Sequence, residues 1–259
     1  MQLPVNMRHF FQFTATYDSI NREERNLAAI FYHLLLLPGN LERFLQLVHC
    51  PFLVNEKEMG IYFEYAYIRD LWHHMAADNI QKRAFILSHL HLDNKRYLES
   101  CSVEEFNDFF GAVPKASKTY IQSPSNWSIR YFHKNIPQND EFLKVCRFKW
   151  CFNAKPDIVI HTSKDQAICI EAKLESGEGV YPSNAEERSI FKERECPSVK
   201  QLSIQKTILQ DILGIESAFV FLVQNKSLSE TDVVTWKEVF QSLDYSSCPH
   251  YIRNWIHRL

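Results

Sequence analysis

The sequence predicts an α/β protein: a sheet with helices on both faces, interrupted by a large helical insertion. Three observations predict it. An amphipathic helical repeat stands near the start of the chain, and helical patterns fill 41–111. Short β-branched or aromatic runs, punctuated by turns, follow between 142 and 174 and again near 217–225. Helical patterns lie between and after these runs, the mixed order that layers helices on a sheet. With 259 residues, 46% of them hydrophobic and only 6 glycines, the chain can bury a sizeable core. No repeat, low-complexity tract or linker divides it. The expectation is one domain over 1–259, with a core of about 20–38 and 142–243 and an insertion of about 41–140.

Leu27, Ile30, Phe31, Leu34 and Leu35 recur at helical spacing. Asn21 suits the N-cap of that helix, Glu24 falls at N3, and Pro38-Gly39 ends it. "NLERFLQLVHC", "YFEYAYIRDLWHHMAA", "IQKRAFILSHLHL" and "SVEEFNDFFG" read as helices, and "KASKTYIQSPSNWSI" as loop. "FLKVCRFKWCFN", "PDIVIHT" and "QAICIEAKL" read as three consecutive strands, a meander. A polar loop spans 175–196, and Pro197-Ser198 opens a helix that runs to Gly214. "SAFVFLVQN", apolar throughout, reads as a strand covered on both faces. Thr235 and Glu238 form a capping box at the next helix, with Val234 and Val239 spaced as a hydrophobic staple. "PHYIRNWIHRL" closes the chain as a short helix.

A net charge of -2 announces no nucleic-acid partner, so any such contact requires locally clustered cations. The seven cysteines are irregularly spaced and form no CxxC, which reads as reduced thiols. "MQLPVNMRHFFQF" lacks the apolar core of a signal peptide, and "IFYHLLLLP" is too short to cross a bilayer. The expected setting is cytoplasmic, without a membrane.

One stretch carries chemistry: "AKPDIVIHTSKDQAICIEAKLESGEG", 154–179. Along a strand, alternate side chains share a face, so Cys169, Glu171 and Lys173 point one way. Pro156 fits the first position of a strand, where no ladder donor is needed, and Asp157 follows it. Were the two strands antiparallel neighbours, Asp157 would sit near Glu171 and Lys173. Two carboxylates are the hard ligands that Mg²⁺ takes, with waters and phosphate oxygens completing its shell. A lysine beside them can orient water or offset charge on a phosphorane. The chemistry is metal-assisted phosphodiester hydrolysis.

Pro156-Asp157 followed by Glu171-Ala172-Lys173 resembles the signature of the PD-(D/E)XK nuclease superfamily, the restriction-endonuclease-like fold. The resemblance covers the first helix and 142–243, and the predicted element order is similar to that superfamily's αβββαβ core. It implies a three-layer αβα sandwich with a mixed central sheet. It also implies a Mg²⁺- or Mn²⁺-dependent nuclease acting on nucleic acid, DNA before RNA, with Asp157 and Glu171 as metal ligands and Lys173 assisting the nucleophile. Family members often add a Glu from the first helix, for which Glu23 and Glu24 are candidates. For Glu24 the N3 position explains the residue equally well. They also often carry a Gln on the helix after the third strand. Gln201 is the better match and Gln205 the alternative. Homodimers that cut both strands are a family expectation.

The competing reading keeps the fold as a nucleic-acid-binding or protein-interaction module without catalysis. A third idea is that the insertion senses a ligand and gates the nuclease, motivated by its size alone. Other signals read as structural. His89-x-His91 falls on a helix, where such side chains diverge. Cys146 and Cys151 lack a second pair for zinc. "DNK" at 93–95 follows no apolar strand. The basic-aromatic runs at 147–150 and 251–259 can grip phosphates but fit ordinary amphipathic elements better.

Overall fold

A computed structural model describes residues 24–112, 118–174, 177–225 and 233–257. In chain order, helices α1 (Glu24–Leu35) and α2 (Asn40–Leu47) precede strand β1 (Gly60–Phe63). A helical block follows: α3 (Tyr67–His74), α4 (Asn79–Leu90), α5 (Lys95–Ser100), α6 (Val103–Phe109), α7 (Ile129–Phe132) and α8 (Asn139–Cys151). Then come β2 (Ile158–His161), β3 (Gln166–Ala172), β4 (Val180–Tyr181), α9 (Ala185–Glu193), β5 (Val199–Lys200) and α10 (Gln201–Lys206), which continues as a π-helical turn over Thr207–Ile212. The described chain ends with β6 (Glu216–Val223), β7 (Val233–Thr235), α11 (Trp236–Ser242) and α12 (His250–Ile256). The protein is mixed α/β. Five strands form a mixed sheet in the order β1-β2-β3-β6-β7, with β1 antiparallel to β2 and β7 parallel to β6.

The chain divides into two compact units. The first contains 1–50, 170–176 and 220–259. There Leu27, Phe31 and Leu34 of α1 are buried, as their spacing predicts. Phe31 meets Phe44 and Trp236 edge-on, with ring centroids 5.0 and 6.0 Å apart. Gly39 turns the chain between α1 and α2 at a φ of 76°, a left-handed conformation that glycine adopts without steric cost. Asn40, fully buried, donates to the Leu34 and Asp244 carbonyls and accepts from the Asp244 N–H. Its polar groups are thereby satisfied, as burial demands. The capping box of Thr235 and Glu238 forms as expected at the start of α11.

The second unit contains 51–169 and 177–219. Its core is aromatic: Phe110 stacks on Trp127 with centroids 3.9 Å apart, and Phe106, Phe132, Phe142 and Phe152 are fully buried. Ser102 and Glu105 make a second capping box at α6.

Three elements differ from expectation. The run around 142–153 is the helix α8, not a strand. Phe142, Leu143, Val145, Cys146, Phe148, Trp150 and Cys151 are all buried and spread round most of the helix, with Lys144, Arg147 and Lys149 between them, so the amphipathic period is weak. Its 13 residues and the acidic Asp140 and Glu141 in its first turn are helical signals. The third strand beside β2 and β3 is instead β1, inside the stretch expected to be helical; it pairs Gly60 with His161 and Phe63 with Ile158. The polar segment after Lys173 contains α9, a helix so rich in charged residues that Phe191 is its one buried residue.

All seven cysteines are free. Burial pushes the Cys146 and Cys151 thiols well above their usual range, which makes them inert packing groups. His89 donates its Nδ1–H to the Phe85 carbonyl at 2.7 Å and stacks on Phe148, a structural histidine. Phe148 and Trp150 are buried and offer no surface for base stacking, while the side chains of Tyr251 and Trp255 lie outside the described residues, as do Asn21 and Glu23. Among the described residues no helix is long and apolar enough to cross a membrane.

Candidate active site

In the first unit, β3 ends in the Glu171-Ala172-Lys173 triplet. Ala172 is buried and Glu171 is only 4% exposed, although it is a carboxylate. Such burial is tolerated when the charge is paired. Lys173 supplies the pair: its Nζ lies 2.7 Å from Glu171 Oε1, and both side chains are largely withdrawn from solvent, at 13% and 5% exposure. The i, i+2 spacing puts both on one face, as the strand pattern requires. Lys173 is fixed by its backbone too. Its N–H donates to the Leu222 carbonyl at 2.7 Å, and its carbonyl accepts from the Trp236 indole at 2.9 Å.

Glu24 joins this group. Its Oε1 accepts from the Leu174 N–H at 2.9 Å, across 150 residues of sequence. The structure thus pairs Glu171 with Lys173 and ties Glu24 to the backbone of the residue that follows Lys173. Trp236 was missed by sequence reasoning. The capping box located its helix, but nothing in the sequence connects its indole to Lys173.

Asp157 and Gln201 belong to the second unit. Asp157 occupies a half-buried bend directly before β2, where its carbonyl accepts from the Glu64 N–H at 2.7 Å. The Pro156 carbonyl accepts from Tyr65 N–H at 2.9 Å, so the ladder to the β1 side runs past the strand's formal end. Gln201 opens α10. Its Oε1 accepts from the Gly179 N–H at 3.3 Å, and its N–H donates to the Gly179 carbonyl at 2.8 Å. A Cβ at position 179 would come within 2.7 Å of Gln201 Oε1, so a side chain there would displace that amide. Glu178 caps the same helix by accepting from Leu202 N–H at 3.0 Å. Gln205, fully buried, accepts from the Cys169 thiol at 3.7 Å and packs inward.

Among the described residues, no group of three or more His, Cys, Asp and Glu side chains is arranged to hold a metal ion. Mg²⁺ needs less, since it commonly takes one or two carboxylates and keeps several waters. Within the first unit, the carboxylates of Glu171 and Glu24 are the right donor chemistry for such an ion. Comparison of the chain with protein-family models, with curated proteins and with solved structures found no match.

Proposed function

We propose that this protein is a metal-dependent nuclease of the PD-(D/E)XK type, hydrolysing phosphodiester bonds of nucleic acid, with DNA the expected substrate. The observation that carries the reading is the Glu171–Lys173 pair, 2.7 Å apart and nearly buried at the end of a strand in the middle of the sheet order. A buried acid and base at a strand terminus is costly as mere decoration, because desolvation consumes much of what the pair gains. The element order α1, β1, β2, β3, α10, β6 is compatible with an αβββαβ core, with the three-layer sandwich as its architecture.

In this reading Asp157 and Glu171 hold Mg²⁺ or Mn²⁺, and Glu24 adds a third oxygen donor. When bound, the ion supplies Lewis-acid polarisation of the phosphoryl oxygens. Lys173 orients the attacking water through its ammonium and offsets negative charge as the phosphorane forms. Trp236 and Leu222 hold the Lys173 backbone so that this ammonium does not wander. Gln201 ties the 177–179 loop to α10 and borders the substrate.

One observation favours a second reading, a non-catalytic binding module. Glu24, Glu171 and Lys173 each already have an intramolecular partner. The test is direct. The protein is incubated with linear, circular and single-stranded DNA and with RNA, in Mg²⁺, Mn²⁺ or EDTA, beside Glu171→Ala and Lys173→Ala. Metal-dependent cutting that both variants lose supports the nuclease. Absence of cutting, with no divalent ion bound in calorimetry, transfers the assignment to the module.

A further inference from the structure

The helical block of the second unit contains a cavity of about 380 Å³ that the proposed chemistry does not use. Its wall is unusual in charge. Arg69, Lys82 and His73 line it together with Ser123, Ser125 and Asn126, and no carboxylate does. Arg69, Trp72, His73 and Ala76 come from one face of α3 and its end, at i, i+3, i+4 and i+7. Lys82 comes from the first turns of α4, and the serines from the short turn at 123–126.

Lys82 is 6% exposed. It donates to the Ala76 carbonyl and lies over the Trp72 ring, 4.9 Å from its centroid. Neither partner carries a negative charge. The nearest acid is Asp78, whose carboxylate accepts from Gln81 N–H at 2.9 Å to cap α4. Arg69 is odder still. Its Nε and Nη2 are shielded from solvent and have no hydrogen-bond partner. Other arginines of this unit show what satisfaction looks like. Arg194 donates to the carbonyls of His133, Ile136 and Pro137, and Arg83 to those of Leu98 and Cys101. Asp70, the neighbour of Arg69 in sequence, faces a different cavity with Tyr67 and His74.

Two cations on one concave wall, one nearly buried and one left with unpaired donors, are costly unless something offsets them. A dianionic oxyanion does so, and the guanidinium fork, ammonium and hydroxyls suit its oxygens. The volume falls within the range of small-molecule sites. We propose that this cavity binds the phosphate group of a small phosphorylated ligand, with Arg69 and Lys82 as the charge partners and Ser123, Ser125 and Asn126 as neutral hydrogen-bonding groups. The assignment stands independently of the nuclease reading. If both hold, one chain carries a ligand sensor as well as a catalytic core.

The test is calorimetric titration of the full chain, in chloride of physiological strength to screen loose attraction. The probes are inorganic phosphate, adenosine monophosphate, adenosine and acetate. Phosphate and the monophosphate bind, while adenosine and acetate do not. Tighter binding of the monophosphate than of phosphate identifies a phosphorylated metabolite whose body fills the rest of the cavity; equal binding identifies free phosphate. Arg69→Gln and Lys82→Met, each checked for folding by circular dichroism, weaken phosphate at least about tenfold, the loss expected for one charge partner. Ser125→Ala weakens it less. The proposal is overturned if neither phosphate nor the monophosphate binds at millimolar concentration, or if binding is unchanged in both charge variants.

Discussion

Each unit withdraws a lysine from most of the solvent, and the two are treated oppositely. Lys173 in the first unit meets a carboxylate at 2.7 Å, and its backbone is pinned on both sides. Lys82 in the second is even less exposed, yet it meets a carbonyl and an indole ring, with an unpaired arginine on the same wall. The contrast separates two uses of a buried cation. A paired one is a finished local structure whose removal leaves a charge stranded. One without a charge partner is a half-site, whose removal strands no charge and whose complement must come from outside.

The sharpest way to break this contrast is to remove each lysine. Lys173→Ala takes the ammonium away from the buried Glu171 carboxylate, and a loss of about 3–5 kcal/mol in urea unfolding is expected. The double variant Glu171→Leu, Lys173→Met recovers most of that stability, since an apolar pair needs no desolvation. Cleavage remains lost in both, on the nuclease reading. Lys82→Met, by contrast, changes stability by no more than about 1 kcal/mol. Equal costs at the two positions would erase the distinction.

A smaller effect tests how Glu24 belongs to the first unit. Glu24→Ala removes a charged acceptor from the Leu174 N–H and costs about 1.5–3 kcal/mol, while Glu24→Gln retains an acceptor and costs less. An unchanged midpoint for Glu24→Ala would mean that the bond to Leu174 contributes nothing to folding. Smaller again is Trp236→Phe. It keeps the contacts with Phe31 and Phe240 but strips the donor from the Lys173 carbonyl, a loss of about 1 kcal/mol. On the nuclease reading, the rate falls further than stability, because the Lys173 ammonium is then less firmly placed.

What could be read from the sequence was local. The runs of β2 and β3, the i, i+2 placement of Glu171 and Lys173, and the capping box at Thr235 are all decided within a few residues. What escaped was non-local. β1 is four residues long and exists because β2, far along the chain, offers a ladder. α8 lost its helical signature by being buried on nearly every side. The Glu24 carboxylate finds its partner 150 residues away, and the Arg69–Lys82 wall is assembled from three elements with no motif among them. Sequence patterns report which face a residue occupies, whereas a site depends on which faces meet.

The smallest expected effect is a slope. Burial lowers the Lys82 pKa below its ordinary value of 10.5, with Asp78 opposing the shift weakly. Between the lowered value and 10.5, the unfolded chain holds a proton that the folded chain lacks. Folding stability therefore rises with pH across that window and is lost as pH falls through it. Other groups titrate in the same range, so the measurable quantity is the slope of the parent protein minus that of Lys82→Met. A positive difference is expected from urea unfolding at a series of alkaline pH values. Phosphate at saturating concentration should shrink it, because an anion beside the ammonium favours the charged form and restores the pKa. A difference of zero without phosphate would mean that Lys82 is effectively hydrated, and the two buried lysines would no longer be opposites.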